Sequence, residues 1–393
     1  MKRLLPVRLL RAAAPAALLS LAAPVRAAEF ACRLEFPSAP ATALTNFPVL
    51  VRLAEDAPAG FSYTNCPAAT NLWFTDRNDE PLAFETDTWN AEGDSLFWVA
   101  VPALSDAACV VLHWSDDAGD APASPAPSAV WSRAGYVGVW HMNELLEDPA
   151  TGKLYTPDSS ASGWDAYKAY AYASDVNNSE PVTNAVGASA HPAPLTVRAM
   201  KIAYKAVNWY GGFAVPASET ASTTLGGSGF TLSAIANARR PADPGFCRVI
   251  AFGNAYNEWA NLTLGSDYIY CMGPGSNNIQ NKTNPAGSTG WVFATAVFSS
   301  ASKIYADGVN LSGDGGKPDL PSLALDKGIG LGVFPNGTQA LDGYMDEARI
   351  RNVPSTAEWV AEEYATVANA DYVSFGKVYP NHPSRKATLI LVK

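Results

Sequence analysis

The sequence predicts an all-β protein made of two β-sandwich domains. Three observations carry that prediction. Aromatic and β-branched residues are abundant, and Gly (30 residues) and Pro (29 residues) recur throughout. That mix suits many short strands joined by tight turns. Apolar residues make up 48% of the chain and charged residues 16%, so core material is ample and disorder is excluded for most of the length. At 393 residues the chain exceeds what one core usually organises.

Residues 1–27 read as a secretory signal peptide. Lys2, Arg3, Arg8 and Arg11 form a basic start, Ala12 to Ala23 is apolar, and Val25-Arg26-Ala27 offers small residues for cleavage after Ala27. The apolar run is about half the roughly 20 residues that span a bilayer, so no membrane span is expected there, and none later. The mature chain is expected to be secreted, periplasmic or at the cell surface. Cleavage removes five basic residues and no acidic one, leaving 22 Lys and Arg against 37 Asp and Glu, a net charge of −15. That balance excludes nucleic acid and anionic membrane surfaces, which need clustered Lys and Arg.

Residues 28–115 read as the first domain. Phe47 to Leu53 is a strand. Asn71 to Thr75, the turn Asp76 to Glu80, and Leu82 to Thr86 read as a hairpin. Ser95 to Val101 carries large apolar residues on both faces, as a strand buried on both sides would, and Cys109 to Trp114 closes the unit. Residues 116–134 are expected to be a linker, because Asp116 to Ser128 is dense in Asp, Ala, Pro and Ser. Residues 135–378 form the second domain, from Gly135-Tyr-Val-Gly-Val-Trp-His141 through strand-like pieces separated by turn residues. Its one clear helix starts at Ser355-x-x-Glu358, a capping box. Residues 379–393 are left as a short basic tail.

Five cysteines are present: Cys32, Cys66, Cys109, Cys247 and Cys271. Their odd number forces at least one free thiol or an intermolecular bond. On an up-down-up path Cys247 and Cys271 stand two strand spacings apart, about 10 Å, beyond disulfide reach. Any disulfide is expected among Cys32, Cys66 and Cys109.

The second domain resembles a known family. Tyr136-Val-Gly-Val-Trp-His-Met-Asn-Glu144, then Asp158-Ser-Ser-Ala-Ser-Gly163, Trp291 through Asp307-Gly308, and Leu341-Asp-Gly-Tyr-Met-Asp-Glu-Ala-Arg-Ile-Arg-Asn352 resemble bacterial laminin G-like domains. That resemblance implies a concanavalin A-like jelly roll over roughly residues 135–376. Phe47 to Leu53, Phe74-Thr-Asp76, Glu85-Thr-Asp-Thr-Trp-Asn90 and Ser95 through Leu104 resemble a bacterial family described as domain of unknown function 2341. The pair in this order implies a surface protein and says little about activity.

The residues argue against familiar catalysis. A retaining glycosidase needs two carboxylates about 5 Å apart, and no alternating run of acids places them on one strand face. Asp346 and Glu347 are adjacent and are expected on opposite faces of their strand. His113, His141, His191 and His382 are scattered, with no His-Glu-x-x-His or Gly-x-Ser-x-Gly pattern. His141 is read as packing against aromatics in preference to binding metal. Glu144, Asp158, Asp342 and Asp346 are the candidate ligands for a structural calcium, being hard oxygen donors near strand ends; the alternative is an Asx-type turn at Asp158 and an ordinary turn at Asp342-Gly343. Tyr256, Asn257 and Trp259, then Tyr167 and Tyr170, are the candidate contacts to a sugar, whose ring stacks on aromatics and hydrogen-bonds at its rim. Five Asn-x-Ser/Thr sequences, at Asn177, Asn261, Asn281, Asn310 and Asn336, are discounted because the resemblance is bacterial.

The expected function is therefore non-catalytic binding of an extracellular glycan or a cell-surface protein. A structural role in envelope assembly, or a polysaccharide-active enzyme, are the alternatives. Amino-terminal sequencing of exported protein is expected to start at Ala28, or within a residue or two. Exported material that retains Met1 would overturn the signal assignment.

Overall fold

A computed structural model of the chain describes residues 29–170, 177–183, 198–202, 211–238, 247–253, 260–265, 268–273, 277–285, 290–312, 320 and 322–380. The signal segment lies outside them. The described residues are all-β, arranged as two sandwiches, with short helical pieces between.

Six strands open the chain: β1 (Glu29–Glu35), β2 (Leu44–Leu53), β3 (Leu72–Asp76), β4 (Phe84–Thr88), β5 (Ser95–Leu104) and β6 (Val110–Ser115). Strands β1, β6 and β3 form one antiparallel sheet, and β2, β5 and β4 form the other. The two sheets share a core that includes Leu34, Phe74 and Leu112 from one and Val49, Phe97 and Val101 from the other. The expected hairpin between Asn71 and Thr86 closes at its turn but does not continue as paired strands. Strand β3 pairs with β6, and β4 pairs with β5 in the opposite sheet. A bridge between Thr75 and Pro81 and the backbone bonds from the Asp76 amide to the Glu80 carbonyl and from the Leu82 amide to the Phe74 carbonyl (2.9 Å each) close the turn before the chain crosses over. Phe74 and Phe84 meet instead as rings across the core, 5.3 Å apart.

The fourth strand of the first sheet comes from the far end of the chain. Ser374–Pro380 lies antiparallel against β1, pairing Phe30 with Pro380 and Glu35 with Ser374. Residues read as the end of the second domain and the start of a tail therefore complete the first sandwich. A strand leaves one edge unpaired unless something covers it, and β1 has its covering strand about 340 residues away in sequence, as the Cys32 Sγ bond to the Gly376 carbonyl illustrates (separation 344, 3.2 Å).

The second sandwich pairs a nine-stranded sheet with an eight-stranded one. The eight-stranded sheet centres on Phe230–Ala238, flanked by Val292–Phe298 and by the closing strand Gly343–Arg351. Strand β7 (Tyr136–Trp140) pairs with the closing strand. The nine-stranded sheet runs from Asn277–Thr283 at one edge to Leu146–Glu147 at the other. Alternate residues of both sheets, among them Leu232, Ala234, Ile250, Leu262, Leu331 and Met345, meet in a common core.

The two sandwiches are welded to each other. The helical turn α1 (Ala129–Ser132) ends the expected linker, and its Val130 and Trp131 are wholly buried. A C-terminal helix, Ala357–Ala368, lies against β2. Arg52 donates to the carbonyls of Thr366 and Val367 at 3.2 and 2.8 Å, supplying a cation where the helix ends in unpaired acceptors. Trp359 sits 4.8 Å from the Phe47 ring with the Arg351 guanidinium 3.7 Å from its own ring. The helix cap falls one residue later than the sequence suggests. Thr356 accepts from the Trp359 amide at 3.2 Å, because the Ser355 hydroxyl is engaged by Arg351 at 3.1 Å.

All five cysteines carry free thiols. Cys247 pairs with Leu264 and Cys271 with Leu262, so the strand Ala260–Leu264 separates them. Burial pushes the Cys32 thiol up to about 11 and the Cys66 thiol up to about 12. No described helix is long and apolar enough to cross a membrane.

Removing residues 374–393 should expose the β1 edge. Hydrogen exchange is expected to show protection lost in β1 and β6 and retained in Phe230–Ala238. Equal loss in all three strands would show that the last strand does not act through the first sandwich.

Candidate functional site

Among the described residues two places concentrate chemistry, and they lie on opposite faces of the second sandwich. The first is the outward face of the nine-stranded sheet. Ala166, Phe213, Ile329, Ile250 and Leu262 point into the core, so their strand neighbours point out. Strand register then aligns an outward row across the sheet: Leu146, Tyr155, Tyr167, Ala214, Gly330, Ala251 and Asn261. The middle of this row is covered. A Cβ on Gly330 would stand 2.1 Å from the Val333 carbonyl oxygen, so only glycine lets the following turn fold back over the sheet. Phe334 of that turn packs on Ala251 and Tyr270. Arg248 locks it down, lying 4.5 Å over the Phe334 ring and donating to Gln339 (2.7 Å), Thr263 (2.9 Å) and Asn261 (3.2 Å).

The other end of the row is open. Tyr155 and Tyr167 stand side by side with ring centroids 5.4 Å apart, and Leu146, Leu154 and Tyr170 nearby in the chain are exposed, Tyr170 to 48%. Burial raises the Tyr167 pKa, and the nearby charges of Asp148, Glu219 and Asp165 push it in the same direction. Two of the expected sugar contacts, Tyr167 and Tyr170, are thus on or beside an open aromatic face. Tyr155 was missed by sequence reasoning; its position opposite Tyr167 depends on strand register, which no local pattern encodes. Tyr256, Asn257 and Trp259 lie outside the described residues. Of the glycosylation-type sequences, Asn177 and Asn261 are buried.

The second place is buried between the sandwiches. Strand β4 contributes Glu85 and Asp87, the segment after β7 contributes His141, and the closing strand contributes Asp346, Glu347 and Arg349. His141 Nδ1 is 2.8 Å from Glu347 Oε1 and 3.6 Å from Asp87 Oδ2, and its Nε2 is 3.4 Å from Glu85 Oε2. Arg349 donates to Glu347 at 2.6 Å and to Glu363 of the C-terminal helix at 3.2 Å. Its guanidinium lies 4.5 Å from the Trp98 ring and 5.1 Å from the Trp131 ring. The indoles also donate: Trp131 to Glu85 at 2.5 Å, and Trp98 to Asp87 at 3.3 Å. Asn143 donates to Asp87 at 2.7 Å, and Tyr136 to Glu363 at 2.9 Å.

Burial pushes the Asp87 carboxyl up to about 7; His141 pulls it down, while Glu347, Asp346 and Glu85 push it further up. Burial works to lower the His141 pKa, but Glu347, Asp87 and Glu85 outweigh it and hold the imidazole well above its usual range. Among the described residues, Asp87, His141 and Glu347 are the one group of three whose donor atoms converge as metal ligands do.

This arrangement corrects two expectations. Asp346 and Glu347 do not face opposite ways. Ser233 pairs with Arg349 but Ile235 pairs with Asp346, so the closing strand carries an extra residue there. Glu347 takes up the irregularity with a φ of 51°. A β-bulge of this kind breaks alternation: Met345, Ala348 and Ile350 point into the core of the second sandwich, leaving Asp346, Glu347 and Arg349 on the outer face together. The second correction concerns the expected calcium ligands, which share no site. Glu144 is exposed and Asp342 half-buried, while Asp346 is buried at the interface beside Asp87. Asp158 has both oxygens occupied by protein donors: Oδ1 accepts from the Val139 and Ser160 amides (2.9 and 2.8 Å), and Oδ2 from the Ser160 hydroxyl and the Trp164 amide (2.8 Å each). It is a staple between β7 and the following loop. His141 does pack between aromatics, 6.2 Å from the Trp98 ring and 5.7 Å from Trp131, and its nitrogens meet carboxylates besides.

Neither a family model nor a curated protein matches the chain. Among solved structures it is similar to domain 4 of AbnA, a GH43 extracellular arabinanase from Geobacillus stearothermophilus solved with arabinotriose. That match has 14% identity and a TM-score of 0.39, over 58% of this chain and 97% of that one. A botulinum neurotoxin type C structure, from work on its interaction with two ganglioside molecules, matches at 10% identity and a TM-score of 0.40, over 59% and 51% of the two chains. The binding domain of botulinum neurotoxin serotype D matches at 12% and 0.39, over 58% and 50%. The chain thus spans about half the length of the neurotoxin chains it matches. Superpositions this shallow leave function to be argued from this chain's own residues.

Removing one member of the buried network leaves its partners charged and uncompensated. Arg349→Met is expected to cost about 3–5 kcal/mol in chemical denaturation. Arg33→Met, whose partner Glu35 is 3.2 Å away with both side chains more than half exposed, should change stability by less than about 0.5 kcal/mol. Similar effects from the two would refute the weight given to the interface.

Proposed function

We propose that the protein is an exported, non-catalytic binding protein, and that its ligand is an extracellular glycan, free or on a cell-surface protein. The observation that supports this most is the open end of the nine-stranded sheet. Paired rings of Tyr155 and Tyr167 stand there beside exposed Tyr170, with Asp148, Asp165 and Glu219 close by. Tyrosine faces stack on the C–H faces of sugar rings, and carboxylates at the rim accept from sugar hydroxyls. A net negative chain favours neutral glycans over polyanions. The cluster with acid–base potential, around Asp87 and Glu347, is largely buried between the sandwiches, with Glu85 and His141 at its edge, and lies on the face opposite the open aromatic end, which supports binding without turnover.

A broad glycan array with the intact protein tests the reading. Binding to at least one neutral glycan is expected, with Tyr167→Ala weakening it by about 1–3 kcal/mol and leaving the melting temperature within a degree or two. Absence of binding to every glycan would favour an assembly role. Cleavage of a bound polysaccharide would replace the proposal with an enzyme.

A further inference from the structure

We propose that Asp87, His141 and Glu347 form a divalent-cation site of mixed nitrogen and oxygen donors, selective for Zn²⁺ over Ca²⁺, that clamps the two sandwiches together. This does not depend on the glycan reading. Each ligand comes from a different part of the chain: β4, the segment after β7, and the bulge of the closing strand. One donor atom from each lies within 4.8 Å of the others. His141 Nδ1 is 2.8 Å from Glu347 Oε1 and 3.6 Å from Asp87 Oδ2. Zinc holds nitrogen and oxygen ligands at about 2.0–2.2 Å, which puts tetrahedral neighbours roughly 3.3–3.6 Å apart. The 3.6 Å separation already matches, the 2.8 Å pair must open, and donors as far as 4.8 Å apart must draw in to admit the ion.

The surroundings are built as such sites are. A metal-bound imidazole usually directs its second nitrogen at a carboxylate, and bound carboxylates are themselves held by donors. His141 Nε2 faces Glu85 at 3.4 Å, and Glu85 is fixed by the Trp131 indole at 2.5 Å. Asn143 holds Asp87 Oδ1 at 2.7 Å and Arg349 holds Glu347 Oε2 at 2.6 Å. The charge balance points the same way. Among the described residues, the buried or nearly buried carboxylates of Glu85, Asp87, Glu347 and Glu363 outnumber the permanent cations beside them, Arg349 and, at Glu363, Arg351, and a divalent ion offsets much of that excess. An imidazole nitrogen among the donors suits zinc, whereas calcium takes six to eight oxygens. Glu85 and His141, with side chains 15% and 9% exposed, form the edge through which an ion can enter.

The test uses the mature protein, stripped with chelator and titrated separately with Zn²⁺ and Ca²⁺ by calorimetry, with metal content measured after gel filtration. One Zn²⁺ per chain is expected, with a higher melting temperature and weaker or no Ca²⁺ binding. Asp87→Asn and His141→Gln should lose the ion. Glu85→Gln, which alters only the support behind the imidazole, should weaken it ten- to a hundredfold. Glu144→Gln, an exposed carboxylate, should leave it unchanged. Should the ligand variants fail to fold, nitrogen-15 spectra of the His141 ring in wild-type protein decide: zinc must perturb Nδ1 directly. No Zn²⁺ binding by the wild type, binding that survives both ligand substitutions, an unperturbed His141 ring with zinc bound, or preference for Ca²⁺ would each overturn the site.

Discussion

The outer face of the closing strand is the constraint around which the rest is arranged. A bulge at Glu347 turns Asp346, Glu347 and Arg349 outward together, and such a row of charges cannot be left half in water and half against protein without cost. It is covered by the first sandwich, whose β4 and β5 bring carboxylates and Trp98 to meet it. Buried ion pairs of this kind add little net stability over apolar residues of the same shape, yet losing one member is expensive. Both His141, which meets Glu85 and Asp87, and Arg349, which lies over Trp98, make contacts that depend on how the two sandwiches are registered.

Several otherwise odd features follow from that docking. Strand β5 is buried on both sides, since Phe97 and Val99 serve the first core while Trp98 faces Arg349. Trp131, in a stretch with the composition of a linker, is sealed between Trp98 and Tyr136, 5.2 and 5.5 Å away. The C-terminal helix is pinned from both sides, by Arg52 at its end and by Arg351 over Trp359. Its exit then delivers the last strand to β1. The first and last described strands thus lie side by side in one sheet.

The same arrangement divides the second sandwich by role. One face is committed to the first domain and is the only place among the described residues where histidine and carboxylates converge. On the opposite face the middle is occupied by the turn that Gly330 admits and Arg248 holds. What remains open is the Tyr155 and Tyr167 end, which is why that end, and not the centre of the sheet, is where a ligand is sought.

Much of this was written locally. Apolar alternation and turn residues specified the strands from Phe47 to Leu53 and from Ser95 to Val101, because side-chain period and burial are short-range properties. The aromatic character around Tyr167 and the Asx-type turn at Asp158 were legible for the same reason; that Asp158 also holds the Val139 amide was not. Tertiary structure alone decided the rest. The crossover that separates β3 from β4, the return of Ser374–Pro380 to β1, and the meeting of Asp87, His141 and Glu347 all join residues far apart in the chain. The bulge at Glu347 overrode a two-residue period that sequence alone implies, because the pairing of Ile235 with Asp346 is fixed by the neighbouring strand. Sequence determined which segments are strands and which faces want burial; only the packing of whole sheets determined which faces meet.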